Sequence, residues 1–478
     1  MAKNEGNVKD NLKKGIMLVF IANLLNLVIS LVNGFILPKY LSVESYADIK
    51  TYQLYAGYIG VAVLGYSDGL YLLYGGKKFS DIGRKELTIC RSNLILFQGI
   101  VTALAITIAG VLQDKVLLIT AVSIIPVNVV ATYKNIFQAT GEFKVYSRIL
   151  NYTSILNFIG SMVLLLIIGT DESLLYIGWM VLVTFIVWFL MENKIRNQYG
   201  FRLGFSLSIQ NLVENIKSGF VLMLGNFSSI LMTSIDRWFV KALMSIQDFA
   251  YYSFVVSVEN LINIFITPIV TTMYNYICVT KDFEKIRRIK NVCLLAALFL
   301  VASAFPARFI LEVYLTKYLA SKNVLFILFS TEVLYMVIKG IYVNVYKARK
   351  QQNLYFLQLV VIIVVGIIFN AAGYFLFKSN EAIAGATLLS VICWYGICSF
   401  SVKELIPTWK ELLILVIALP TYIICGVFLP AVEGCIIYLA VICVLAFALM
   451  REETTFMIGY LKGMLKGCLL YTSDAADD

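Results

Sequence analysis

The chain has 478 residues, of which 60% are hydrophobic and 14% charged, with a formal net charge of +10 and no histidine. A soluble domain carries about 25% charged residues, so a water-facing enzyme surface is excluded, and disorder needs the opposite balance of low hydrophobicity and high charge. Nine cysteines in a chain of this length exclude a secreted disulfide scaffold. What remains is an all-α polytopic membrane protein, each span taking about 20 apolar residues.

Apolar runs bounded by charge or turn residues predict fourteen spans in chain order. The first six are 16–37, 54–74, 94–112, 116–137, 149–169 and 174–191. The next six are 220–240, 249–277, 292–311, 324–345, 354–377 and 383–402, and two shorter runs, 412–429 and 435–450, complete the set. The basic start of the chain runs into a long apolar stretch with no small-residue cleavage site, which reads as a retained anchor. The cysteines lie in or near spans without a CxxC pair and read as small packing residues. The final stretch, Leu469 to Asp478, fits neither a span nor a basic tail and reads as non-native sequence.

Cation placement tests the count. With the first residue inside, the predicted inside segments carry about 28 Lys and Arg and the outside loops about 7, as the positive-inside rule requires. The expected location is a bacterial cytoplasmic membrane, multi-pass, with both termini cytoplasmic. The +10 charge is thereby a topology signal, and nucleic acid is not an expected partner.

Two segments repeat. Leu41-Ser-Val-Glu-Ser-Tyr-Ala-Asp48 after the first span matches Met244-Ser-Ile-Gln-Asp-Phe-Ala-Tyr251 after the seventh, 203 residues on. Tyr133-Lys-Asn-Ile-Phe-Gln-Ala139 matches Tyr342-Val-Asn-Val-Tyr-Lys-Ala348 at the ends of spans 4 and 10. Spans 1–6 therefore repeat as spans 7–12. An even number of spans per repeat keeps both copies in the same orientation, so the lobes are parallel repeats that can rock against each other in alternating access. The expected domains are an N-terminal lobe (1–191), an inter-lobe linker (192–217), a C-terminal lobe (218–403), two extra helices (404–450) and a tail (451–478).

Further motifs are Lys13-Lys-Gly15 before span 1, Leu37-Pro-Lys-Tyr-Leu41 followed by Glu44-Ser-Tyr46, and Leu64-Gly-Tyr-Ser-Asp-Gly-Leu70. Ala139-Thr-Gly-Glu-Phe-Lys144 and Ser234-Ile-Asp-Arg-Trp238, the latter with Asp248-Phe-Ala-Tyr251, follow in the same order. In these motifs and in its span layout the chain resembles the polysaccharide (O-antigen and capsule repeat-unit) flippases of the multidrug/oligosaccharidyl-lipid/polysaccharide exporter superfamily. It departs from them at Tyr46-Ala47, where the family usually has Tyr-Gly. The resemblance implies a substrate of oligosaccharide on polyprenyl pyrophosphate, moved from the inner to the outer leaflet for surface polysaccharide synthesis.

A pyrophosphate needs cations, and an in-span cation defaults to a functional reading because burying it is expensive. The candidates are Lys134, Arg237, Arg308 and Lys339. Each has a plainer alternative: Lys134 and Arg237 can snorkel to an interface, Arg308 follows Pro306 near a span end, and Lys339 can pair with Glu332 one to two turns before it. For coupling to H⁺ or Na⁺ the in-span acids Asp68 and Glu259 are the candidates, their alternative being local ion pairs or helix-terminus contacts. Tyr52, Tyr55 and Tyr58 could stack sugars, although packing or an interfacial belt also accounts for them. Membrane lipids are the other expected partner, and no cofactor or metal is implied. Two rival functions remain. A drug or metabolite exporter of the same superfamily shares the fold, and a membrane glycosyltransferase or polysaccharide polymerase needs a long extramembrane loop. The outside loops here are short, and no GxxxxGK[ST] sequence is present, so the chain is not read as an enzyme.

Overall fold

A computed structural model of the chain describes residues 24–200, 204–280 and 282–459. The basic start with Lys13-Lys-Gly15 and the segment 469–478 lie outside the described residues, as do Arg202, Lys281, Lys462 and Lys466. The described residues are helical and contain no strand. The helices are α1 (Leu24–Tyr40), α2 (Val43–Ile59), α3 (Tyr66–Tyr74), α4 (Arg84–Leu112), α5 (Lys115–Ala139), α6 (Phe143–Met162) and α7 (Ser173–Tyr199). They continue as α8 (Ile209–Met232), α9 (Ile235–Leu243), α10 (Ile246–Val279), α11 (Phe283–Leu300), α12 (Ala304–Val313) and α13 (Lys322–Val337). The last are α14 (Val343–Ala348), α15 (Gln352–Phe377), α16 (Asn380–Ser401), α17 (Trp409–Phe428), α18 (Ala431–Leu449) and α19 (451–459).

Among the described residues, ten helical segments are long and apolar enough to cross a membrane, and up to thirteen when each of three bent pairs counts as one span. The polytopic all-α class therefore holds. Two expected spans, 54–74 and 220–240, are broken rather than straight. The first bends by 63° between α2 and α3, where Leu64 and Gly65 take left-handed backbone angles (φ 50° and 86°). A left-handed pair cannot continue a right-handed helix, and glycine supplies the second position without a Cβ penalty. The second is interrupted at Thr233 and Ser234, where α8 ends.

The sequence repeat reappears as a repeated cap. Ser42 Oγ accepts from the Ser45 backbone N–H at the start of α2, and Ser245 Oγ accepts from the Asp248 N–H at the start of α10. Each satisfies one of the otherwise unpaired N–H groups of a helix start. Tyr46 and Phe249, at matching positions, are both buried.

The chain divides into two units, the first ending at Ser234 and the second beginning at Ile235. By sequence, α8 opens the second repeat, yet by packing it belongs with the first unit. Glycines are the reason. A Cβ built on Gly219 of α8 would lie 2.1 Å from the Gly65 carbonyl oxygen, and one on Gly69 of α3 would lie 2.0 Å from the Asn215 carbonyl oxygen. The two backbones touch, as small residues four apart allow in membrane helices. Asn93 of α4 fastens the same region, donating to the Ser208 carbonyl at 2.9 Å and accepting from its N–H at 3.1 Å.

In the second unit, α17 and α18 are fixed at several depths. Lys290 of α11 meets Glu411 in the first turn of α17 at 2.6 Å, both side chains 1% exposed or less. Tyr422 and Tyr438 donate to the carbonyls of Val301 and Leu298 at 2.9 and 2.7 Å. Buried hydroxyls need such partners.

Candidate functional site

The in-span charges separate into three groups. The largest lies in the second unit and draws on four elements. Asp236 of α9 is buried, accepting from Tyr252 OH of α10 at 2.7 Å and from the Arg237 backbone N–H at 2.7 Å. Glu259, two turns further along α10, accepts from Thr331 Oγ1 of α13 at 3.3 Å. Glu332 follows Thr331 and is 3% exposed, and its Oε2 has no hydrogen-bond partner. Lys339 stands in a π-helical turn, Ile338–Tyr342, inserted between α13 and α14, with Nζ 4.3 Å from the centre of the Tyr335 ring. Such single π turns re-aim side chains within a helix. Glu259 is within electrostatic reach of Glu332, Asp236 and Lys339, and Asp236 of Arg237.

The composition of this group is its chemistry. Three carboxyl groups, Asp236, Glu259 and Glu332, face two cations, Arg237 and Lys339. With every group ionised the site carries one excess negative charge in a poorly solvated place, which is costly. One bound proton or one monovalent cation restores neutrality. Asp236 and Glu332 are buried, and Glu259 is partly buried within the long helix α10. Among the described residues, no group of three or more His, Cys, Asp or Glu side chains is arranged to hold a metal ion.

Of the sequence-predicted residues, Glu259, Arg237 and Lys339 thus come together. Glu332, expected only as an ion-pair partner for Lys339, and Asp236 complete the group. The available signal was Glu332, Tyr335 and Lys339 at helical spacing inside one apolar run, which puts them on one face.

The second group is in the first unit. Asp68 sits in the first turn of α3, where a carboxylate suits the helix N-terminus, and accepts from Asn226 Nδ2 of α8 at 3.3 Å. Lys134 of α5 is half-buried and has no carboxylate partner among the described residues. Its neighbour Tyr133 is buried in the core with Phe137, beside Arg91. Tyr52 is buried, Tyr55 OH donates to Asp114 at 3.1 Å, and Tyr58 OH lies 2.5 Å from Ser234 Oγ, so all three tyrosines are engaged within the unit.

Arg308 stands apart. Its Nη1 donates to the carbonyls of Gly426 and Leu429 at the end of α17, and its Nε donates to Glu312 at 2.7 Å. It closes the unpaired carbonyls of a helix C-terminus, a role open to any buried arginine beside one. These contacts account for its burial in the span.

Ten to thirteen apolar helical segments among the described residues, some bent and some carrying charges at mid-helix, define an all-α polytopic membrane protein. No family model matches the chain, and no curated protein matches it. Solved structures do. The chain is similar to lipid II flippase MurJ in an inward closed conformation, with 15% identity over 91% of this chain and 99% of that one, at a TM-score of 0.60. It is also similar to a MATE transporter in complex with MaL6, with 13% identity over 82% of this chain and 97% of that one, at a TM-score of 0.50. The likeness establishes the fold, spanning nearly the whole of both chains.

Proposed function

We propose that this protein flips an oligosaccharide carried on polyprenyl pyrophosphate across the bacterial cytoplasmic membrane, with both termini cytoplasmic, by alternating access. The observation that carries the reading is Lys134, a half-buried in-span cation without a carboxylate partner among the described residues. A cation held unpaired in a span costs stability and is kept where an anionic ligand will complete it. Arg237, whose Nε is buried and unpartnered, supplies a planar donor for a phosphate oxygen, and Lys339 a point charge. The fold supports the reading, since a similar structure is named a lipid II flippase.

The acid-rich group is the proposed coupling site. Its single excess negative charge calls for one cation, H⁺ or Na⁺, with Glu259 as the first candidate to hold it and Asp68, in the first unit, as the second.

A leaflet-accessibility assay of lipid-linked repeat units tests the proposal. Cells lacking the gene should retain these units on the cytoplasmic leaflet, and complementation should restore outer exposure. Arg237→Ala should reduce export at unchanged membrane level. Unaltered outer-leaflet exposure in the deleted cells would refute the flippase reading. The second reading is a cation-coupled exporter of drugs or metabolites, supported by the carboxylate excess and by the similar MATE structure. Proton-driven efflux of a small cation from vesicles, with no effect on lipid-linked units, would select it.

A further inference from the structure

One charged feature lies apart from all of these groups. Between the N-terminal half of α11 and α19 is an open hollow of about 400 Å³, lined by Arg288, Arg451, Glu452, Thr455 and Phe456. Its walls are fixed from below. Thr454 Oγ1 donates to the carbonyls of Ala446 and Met450, holding α19 to the end of α18, and Asn291 of α11 donates to Glu453 at 3.0 Å.

The basic residues nearby fall into two kinds. Arg287 is occupied, donating to the Glu404 carbonyl and to Glu284, and Lys285 pairs with Asp282. Arg288 and Arg451 are different: among the described residues neither guanidinium has a carboxylate partner or a hydrogen bond. The Arg288 guanidinium lies over the Phe456 ring, 5.0 Å from its centre, which holds the group without using its donors. The hollow thus offers two uncommitted planar donor sets and an exposed aromatic ring, with one carboxylate, Glu452, in its lining, while the Thr455 hydroxyl donates to the Arg451 carbonyl at 2.8 Å. It adjoins the end of a membrane-crossing helix, on the side that the cation count assigns to the cytoplasm.

We propose that this hollow binds a phosphate group, and specifically the phosphodiester head group of an anionic membrane lipid. Two guanidiniums match phosphate oxygens in fork geometry. Phe456, 45% exposed, presents an apolar ring beside the two arginines. A basic pocket between spans at this depth is the arrangement that captures anionic head groups. The lipid would pin α19 and the end of α18 to the bilayer surface, independently of any transported substrate.

The test uses the full-length purified protein, delipidated in a neutral detergent and titrated with phosphatidylglycerol or phosphatidylcholine, with bound lipid counted by native mass spectrometry. A parallel arm adds inorganic phosphate alone and reads the unfolding temperature. Wild type should prefer phosphatidylglycerol. The Arg288→Ala/Arg451→Ala double variant should bind it roughly 30-fold more weakly, about fivefold for each arginine near an anionic surface, with phosphatidylcholine binding unchanged. Glu452→Gln should shift affinity the other way, a change of sign that misfolding would not produce. A phosphate-dependent stabilisation lost in the double variant, without a lipid preference, would assign the site to soluble phosphate instead of lipid. Equal binding of phosphatidylglycerol by wild type and double variant, with no response to phosphate, would overturn the proposal.

Discussion

The Lys290–Glu411 pair makes the sharpest energetic prediction. Its atoms are 2.6 Å apart, and both side chains are removed from water. At an effective dielectric of about 20 the bare attraction is roughly 6 kcal/mol. Most of that offsets the desolvation of two charges, so the pair itself adds little net stability. The second Lys290 contact, a donation to the Leu405 carbonyl at 2.9 Å, survives loss of the carboxylate but does not neutralise the ammonium. Glu411→Gln should therefore cost about 3–5 kcal/mol, the penalty for an uncompensated buried charge, and Lys290→Met a similar amount. Lys290→Met/Glu411→Leu should cost less than either single change, because no charge is left behind. Unfolding of the purified protein in mixed micelles, followed by tryptophan fluorescence, would measure all three. A double variant whose loss equals the sum of the singles would refute the reasoning and show that the two residues act independently.

Three other expectations follow from contacts described above. Gly219→Ala should destabilise by about 1–3 kcal/mol through overpacking against the Gly65 carbonyl, whereas Gly225→Ala, with open space around its Cβ, should be neutral or stabilising; thermal unfolding of the pair checks it. Glu259→Gln should abolish the pH dependence of transport in vesicles while leaving binding of substrate measurable, and Glu332→Gln should shift that dependence without removing it. In the loop before α17, a backbone N–H and then the Arg349 side chain at 2.7 Å hold the Glu404 carboxyl below its ordinary value of 4.5. A depressed carboxylate contributes stability above its unfolded pKa and loses it as pH falls through the folded one. The small stability difference between wild type and Glu404→Gln should accordingly be present at neutral pH and fade below about pH 4.5, as read by unfolding at graded pH.

Several features were legible in the residues alone. The helical membrane class followed from 14% charge in 478 residues, since no soluble surface can be built from so few. The paired starts of α2 and α10 were visible as a repeated segment, and the structure shows that each copy opens on a serine cap. The bends were not. An apolar run from 54 to 74 looks continuous to a hydropathy window, and the break comes from two left-handed residues that leave its hydrophobicity unchanged.

The long apolar runs show in the residues alone, because transfer free energy is a sum over residues and needs no partner. The sequence also marked the in-span charges as exceptional. Which of those charges meet was decided only by the tertiary structure. Arg308 and Lys339 are equally anomalous in an apolar run, yet one closes the C-terminus of α17 and the other stands among three carboxyl groups. The placement of α8 against α3 likewise depends on glycines 150 residues apart in the chain. Coulomb and packing energies belong to pairs, and only folding selects the pairs.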